Sequence, residues 1–194
     1  MTATVPHVHV PLLRVGPRRW KDPIDASFSQ THADNRWNTP AFPALYCCCS
    51  ERVARAVVED RWRRLAVELA DLTPDTQPQL AEIDWTGTVV DMASEAGIVA
   101  NGFPRAYPAG VEVADCQRAA TVWQEAGHGG VVCRSAALHR LSREARWEGE
   151  HPAWGEVAVF TRKANKKPTL RRLREDLDWL GGAPSADANS TLSR

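Results

Sequence analysis

Long apolar runs are missing from this sequence. Nowhere do about eighteen consecutive apolar residues occur, the length a helix needs to cross a bilayer. The chain also opens without a basic segment leading into an apolar one. A soluble, cytoplasmic protein is expected. An excess of one charge is missing too: Lys plus Arg number 24 and Asp plus Glu 24. No global positive field would draw the chain to nucleic acid or to an anionic membrane, so any anion binding must be local. Cysteines are few and awkwardly placed for a disulfide framework. There are five, an odd number, three of them consecutive at Cys47, Cys48 and Cys49, and neighbours in a strand point to opposite faces. Reduced thiols are therefore expected. No repeat period is visible, and the eight tryptophans are scattered. Neither a Gly-x-Ser-x-Gly elbow nor a Ser-His-Asp pattern surrounds Ser135, which excludes it as a nucleophile.

With 194 residues, the chain is long enough to bury a substantial core. Residues 1–182 are read as a single domain, and residues 183–194, small and polar, as a disordered tail. The first strand is expected over residues 6–15, where Val8 and Val10 alternate with His7 and His9. Arg14 in such a strand either needs an anionic partner or lies at a solvent edge. His7-x-His9 has the look of half a metal site, but no further ligand stands at suitable spacing, so no metal is expected. Residues 44–49 read as a short apolar strand. Ser50 follows as an N-cap, and the spacing of Val53, Ala54, Val57, Val58, Trp62, Leu65, Ala66 and Leu69 predicts a helix from there to about Asp71.

Two strands are expected over residues 80–85 and 88–92, then a long loop over 101–110 that serves function or forms a flap. A second helix is expected over 115–126 with Gly127 as its stop, and a buried strand ending at Arg134-Ser135. One more strand covers 154–161, and an arginine-rich closing helix 168–180. The fold class implied is α/β (α+β), a mixed sheet flanked by helices.

Most of the chemistry lies in residues 34–59. Arg36 carries a permanent charge on a planar fork that fits phosphate or carboxylate oxygens two at a time. Trp37 and Tyr46 offer ring faces for a nucleobase or a nicotinamide, and Pro40 and Pro43 keep the backbone non-helical. Glu59 has Arg55 and Arg63 at i−4 and i+4, the arrangement of an ordinary surface ion pair, and lies off the centre of the apolar stripe. Ser135 is either a ligand contact at a strand end or the cap of the next turn.

Taken in order, Leu13-Arg14-Val15, Asn35-Arg36-Trp37-Asn38, Leu45-Tyr46, residues 56–59, the strand 130–135 and Val157 to Phe160 form a series that resembles the RES domain family. These are the toxins of RES–Xre toxin–antitoxin pairs. The resemblance implies a fold related to ADP-ribosyltransferases and an enzyme that degrades NAD at the nicotinamide–ribose bond, by phosphorolysis or hydrolysis. It implies Glu59 and Arg36 as catalytic residues, and Arg14, Tyr46, Ser135, Trp37 and Asn38 as substrate-binding ones. NAD is then a substrate and not a recycled cofactor, with inorganic phosphate as a co-substrate. The implied partner is a helix-turn-helix (Xre-like) antitoxin, and a homodimer is a further expectation. The family has glycine just before Arg-Trp-Asn, where this chain has Asp34-Asn35. Asn35 is expected to keep the turn by adopting positive φ, and Asp34 to repel an anionic substrate. Two other outcomes stay open: a relative that binds a nucleotide or protein without turnover, and an ADP-ribosyltransferase acting on a macromolecule.

Overall fold

In a computed structural model of the chain, residues 2–7, 11–141, 155–161 and 167–181 are described. Eight strands make one mixed sheet. They are β1 (Thr4–His7), β2 (Leu12–Pro17), β3 (Ala44–Cys48), β4 (Pro78–Asp84), β5 (Gly87–Met92), β6 (Gly130–Arg134), β7 (Gly155–Phe160) and β8 (Thr169–Arg174). The order across the sheet is β1-β5-β6-β7-β3-β2-β4-β8. Every neighbouring pair is antiparallel except β5 with β6. A parallel pair needs a crossover, and the one here carries α2 (Glu95–Ala100) and α3 (Val113–Glu125).

The sheet is strongly curled. β4 ends at Asp84 and β5 starts at Gly87, so at most about 11 Å of chain joins them. Yet they stand five places apart in the strand order, roughly 24 Å in a flat sheet. The two ends of the sheet must bend toward each other. The inner face this creates is filled by Leu12, Leu45, Cys47, Ile83, Trp85, Val89, Val157 and Val159, drawn from both ends of the strand order into one apolar cluster.

The outer face carries the helices in two groups. α1 (Glu51–Leu65), α4 (Ala136–Leu141) and α5 (Asp178–Gly181) cover Leu13, Cys48 and Leu80. α3, the loop after α2 and the ring of Trp37 cover Val90, Met92, Val131, Ala158 and Phe160. Between the two groups the outer face is lined by β3, β6 and β7.

Several expectations change here. The single strand expected over residues 6–15 is two: β1 pairs with β5 at one edge, and β2 lies between β3 and β4. His9 lies outside the described residues, as do the tail from 183 and residue 154 of the expected strand. The helix expected to reach Asp71 stops at Leu65, where Ala66 turns left-handed with φ 50°. The apolar spacing runs on, but Leu65 and Leu69 are exposed and cover nothing.

The closing helix is instead β8 followed by the single turn of α5. Leu170 and Leu173 are three residues apart, as in a helix. A bulge at Arg171 absorbs the odd residue, so Leu170 stands opposite Ile83 and Leu173 opposite Ala81 on one face. The loop at 101–110 is no free flap: Arg134 Nη1 donates to the carbonyls of Arg105 (3.0 Å) and Tyr107 (3.2 Å) and holds it against the sheet.

Candidate functional site

β3 alternates, sending Leu45 and Cys47 to the inner face and Tyr46 to the outer one. There the Tyr46 hydroxyl accepts from the Trp37 backbone N–H at 2.8 Å and donates to Asn38 Oδ1 at 2.9 Å. Asn38 in turn donates to the Ser29 carbonyl at 2.9 Å. One phenol thus fastens the loop that carries Arg36 to the middle of the sheet. Burial pushes the Tyr46 hydroxyl well above its ordinary range, so it stays protonated.

Trp37 is 2% exposed and lies within 5.7 to 6.3 Å of the rings of Trp123, Tyr107 and Phe103. Its indole N–H points to Cys133 Sγ at 3.2 Å. Both faces are covered by protein, so Trp37 does not offer a ring to a ligand as expected, and Asn38, 1% exposed, is committed in the same way. They build the wall and floor behind Arg36.

Arg36 is the half-buried residue at the opening of this wall. Its Nε is buried with no hydrogen-bond partner, an unusual state for a group with five donors. Its charge falls on Glu156, Cys133, Cys116 and Tyr107, in each case favouring the ionised form against the burial that opposes it. Desolvation still dominates for the thiols: Cys133 is pushed up to about 12 and Cys116 to about 11. All five cysteines are free and buried, as neutral thiols. The turn before Arg36 does not use positive φ. Among the described non-glycine residues only Ala66 has it. Asn35 holds the turn with its side chain on the Ser29 carbonyl at 3.0 Å, while Gln117 donates to the Asn35 carbonyl at 2.8 Å. Asp34 is exposed.

Ser135 stands where β6 ends and α4 begins. Its hydroxyl caps α4 by accepting from the Leu138 N–H at 3.2 Å, and it donates to Glu156 Oε1 at 2.6 Å. Of the two readings the structure shows the cap: the Ser135 hydroxyl is fully buried and, besides capping α4, orients a carboxylate. Glu156 is a residue the sequence analysis missed. It pairs with Cys48 of β3 and Cys133 of β6, in the strip of outer face between the two helical groups. The signal was present: Glu156 is in phase with Ala158 and Phe160, both buried on that face, where a solvated carboxylate would not be expected. Burial raises its carboxyl above the usual range, while the Ser135 hydrogen bond and the charges of Arg36 and Arg140 pull it partly back.

Two expected members of the site are elsewhere. Glu59 lies on the outward side of α1, its side chain 53% exposed and paired with Arg63 at 2.5 Å. It is the i,i+4 surface ion pair, because the stripe of α1 that faces the sheet runs through Val53, Ala54, Ala56 and Val58. Arg14 is buried, but on the inner face: parity along β2 puts it with Leu12 and not with Leu13. Its Nη1 donates to the carbonyls of Pro23 (2.8 Å) and Asp25 (2.9 Å), and its guanidinium lies 4.9 Å from the Trp20 ring centre. Arg14 is a clamp on the 18–26 loop, separated by the sheet from Tyr46.

The next residue of α1 matters more than Glu59. Asp60 is 5% exposed and takes a two-pronged ion pair from Arg140, both contacts 2.7 Å, with Arg64 at 3.2 Å. This ties α1 to α4 and so to Ser135. Burial alone would raise the Asp60 carboxyl, but the Arg140 hydrogen bonds and charge, helped by Arg64, leave it below its ordinary 3.8. A depressed folded value stabilises the fold above the unfolded value, and that contribution is lost as pH falls through the folded one. Asp60→Asn is therefore expected to lower stability at pH 7 by about 1–3 kcal/mol. Its decline in stability below about pH 4 should be shallower than that of the parent. Denaturant titrations from pH 3 to 7 would check this, and parallel acid declines would refute it.

The model of one protein family, the RES domain, matches residues 11–179. The fold is similar to one in the crystal structure of the M. tuberculosis MbcT–MbcA toxin–antitoxin complex, with a TM-score of 0.65 at 17% identity over 89% of this chain and 83% of that one. No curated protein matches the sequence. Among the described residues, no helix is long and apolar enough to cross a membrane.

Proposed function

This chain belongs to the RES domain family, and on that premise we propose that it degrades NAD by breaking the nicotinamide–ribose bond. Water or inorganic phosphate is the acceptor. In this reading it is the toxin of a toxin–antitoxin pair, held in check by a helix-turn-helix (Xre-like) antitoxin. The solved structure that shares its fold is described as a toxin–antitoxin complex.

The observation that carries the reading is the state of Arg36. It is a fixed cation whose buried Nε meets no protein acceptor, beside a partly covered carboxylate and a serine, on a floor locked in place by Tyr46. Arg36 is half-buried and makes no ion pair among the described residues, so an anionic group such as a pyrophosphate would supply the missing counter-charge at the accessible part of the guanidinium. Loss of nicotinamide develops positive charge on the ribose, which a nearby carboxylate stabilises.

The test is to incubate the purified chain with NAD, with and without phosphate, and follow nicotinamide release. Stoichiometric release is expected, while intact NAD at high protein concentration would overturn the reading. The outward position of Glu59 favours a second reading, a relative that binds a nucleotide without turning it over. NAD binding by calorimetry with no nicotinamide released would establish it.

A further inference from the structure

The geometry points to Glu156, and not Glu59, as the carboxylate at the reacting centre. This rests on the NAD-cleaving reading of the same site. Four observations on the chain meet at this one side chain.

The first is its place in the sheet. Glu156 projects from β7 between Cys48 and Cys133, in the strip of outer face that, among the described residues, lies between the two helical groups. It remains partly exposed among strand neighbours that are buried. A carboxylate there is largely shielded from bulk water while part of its surface stays accessible, a setting in which its charge acts more strongly than it would in water.

The second is its orientation. Ser135 donates to Oε1 at 2.6 Å while being fixed itself by the Leu138 N–H. One oxygen is thereby anchored, and the hydrogen-bonding capacity of the other is left for a substrate or an acceptor. The third is the charge around it. Arg36 faces it from the loop, Arg140 from α4 and Asp60 from α1, with the neutral groups Tyr46, Cys48 and Cys133 on the adjoining strands. Asp60 is already the partner of Arg140. Arg36 makes no ion pair among the described residues, so it can serve Glu156 and an anionic ligand together.

The fourth is cost. Burial opposes the ionised form of Glu156, whereas an apolar residue in phase with Ala158 and Phe160 would pack without penalty. Ionisable groups held against desolvation beside a specific charge partner concentrate where chemistry is done.

In the step assigned to it, the bond between ribose C1′ and the pyridinium nitrogen breaks. The electron pair leaves on that nitrogen, giving neutral nicotinamide. An oxygen of water or hydrogen phosphate bonds to C1′, and its proton passes to Glu156 and on to solvent. Glu156 has two functions in this step: as an anion it stabilises the positive ribose, and as a base it takes the proton.

The test compares the full-length parent with Glu156→Gln and Glu59→Gln. Gln keeps an acceptor for Ser135 but neither the charge nor the base. Glu156→Gln is expected to lower kcat by about 10²–10⁴-fold with KM changed much less. It should still bind NAD by calorimetry and lose the rising acid limb of the kcat/KM profile. Glu59→Gln should match the parent in rate. If Glu156→Gln does not fold, Glu156→Asp is read in its place. Lowered kcat with NAD binding kept supports the assignment, and an unchanged kcat overturns it. NAD cleaved by Glu156→Gln at the parent rate overturns this assignment and leaves the proposed function standing. NAD left intact by the parent overturns both.

Discussion

Arg36→Ala is expected to lower kcat/KM for NAD by about 10²–10³-fold, the loss typical of one preorganised electrostatic group, while the fold stays close to that of the parent. The asymmetry follows from what Arg36 does and does not touch. Its buried Nε makes no hydrogen bond, so truncation strips no protein acceptor of its donor and leaves the network of Tyr46, Asn38 and Ser29 in place. What is lost is the cation beside Glu156. Without it the Glu156 carboxyl, already raised by burial, rises further, and the acid limb of the pH–rate profile moves to higher pH.

Arg36→Lys separates the two parts of the role. A lysine keeps the charge but not the planar fork, so it should restore the position of the acid limb more fully than the affinity for NAD. The measurements are steady-state NAD cleavage from pH 5 to 9 and a thermal melt of each variant. Full activity in Arg36→Ala would remove the centre of the proposed site.

Trp37→Ala is expected to cost about 3–5 kcal/mol of stability, a large share of the about 5–15 kcal/mol that holds a domain folded. The ring is 2% exposed and stacks on Trp123 with centroids 5.7 Å apart, with Tyr107 and Phe103 around it. Its removal leaves a void that rigid aromatic neighbours cannot close, and takes the donor from Cys133. The loop held to Tyr46 by the Trp37 backbone N–H loses its packing at the same time, so activity should fall with stability. Adding a ligand for Arg36 should not recover it. Urea titration gives the number. A loss below about 1 kcal/mol would show that the cluster repacks, and that Trp37 is less embedded than its contacts indicate.

The sequence by itself determined what depends on near neighbours. Ser50 caps α1 by accepting from the Val53 N–H at 3.4 Å, and the apolar stripe behind it is helical over Glu51–Leu65. Gly127, with φ 87°, closes the turn after α3 where a stop was expected. The short strands at 44–48 and 130–134 follow from their apolar runs, and the ordered series of short motifs was enough to place the chain among RES domains.

Tertiary structure alone decided which of two carboxylates is drawn in beside Ser135 and which is left in solvent. Glu59 and Glu156 each sit one residue from an apolar stripe, and only the surface covering that stripe fixes the direction each side chain takes. On α1 the sheet takes the side of Ala56 and Val58 and leaves Glu59 in solvent. On β7 the register against Cys48 and Cys133 turns Glu156 toward Ser135, 21 residues away in the chain. Arg14 was misplaced for the same reason, since parity along β2 had meaning only once the curled sheet gave it an inner face. Local pattern sets the period of an element. Which phase of that period is buried is set by partners far off in sequence, and the proposed site is built from that phase.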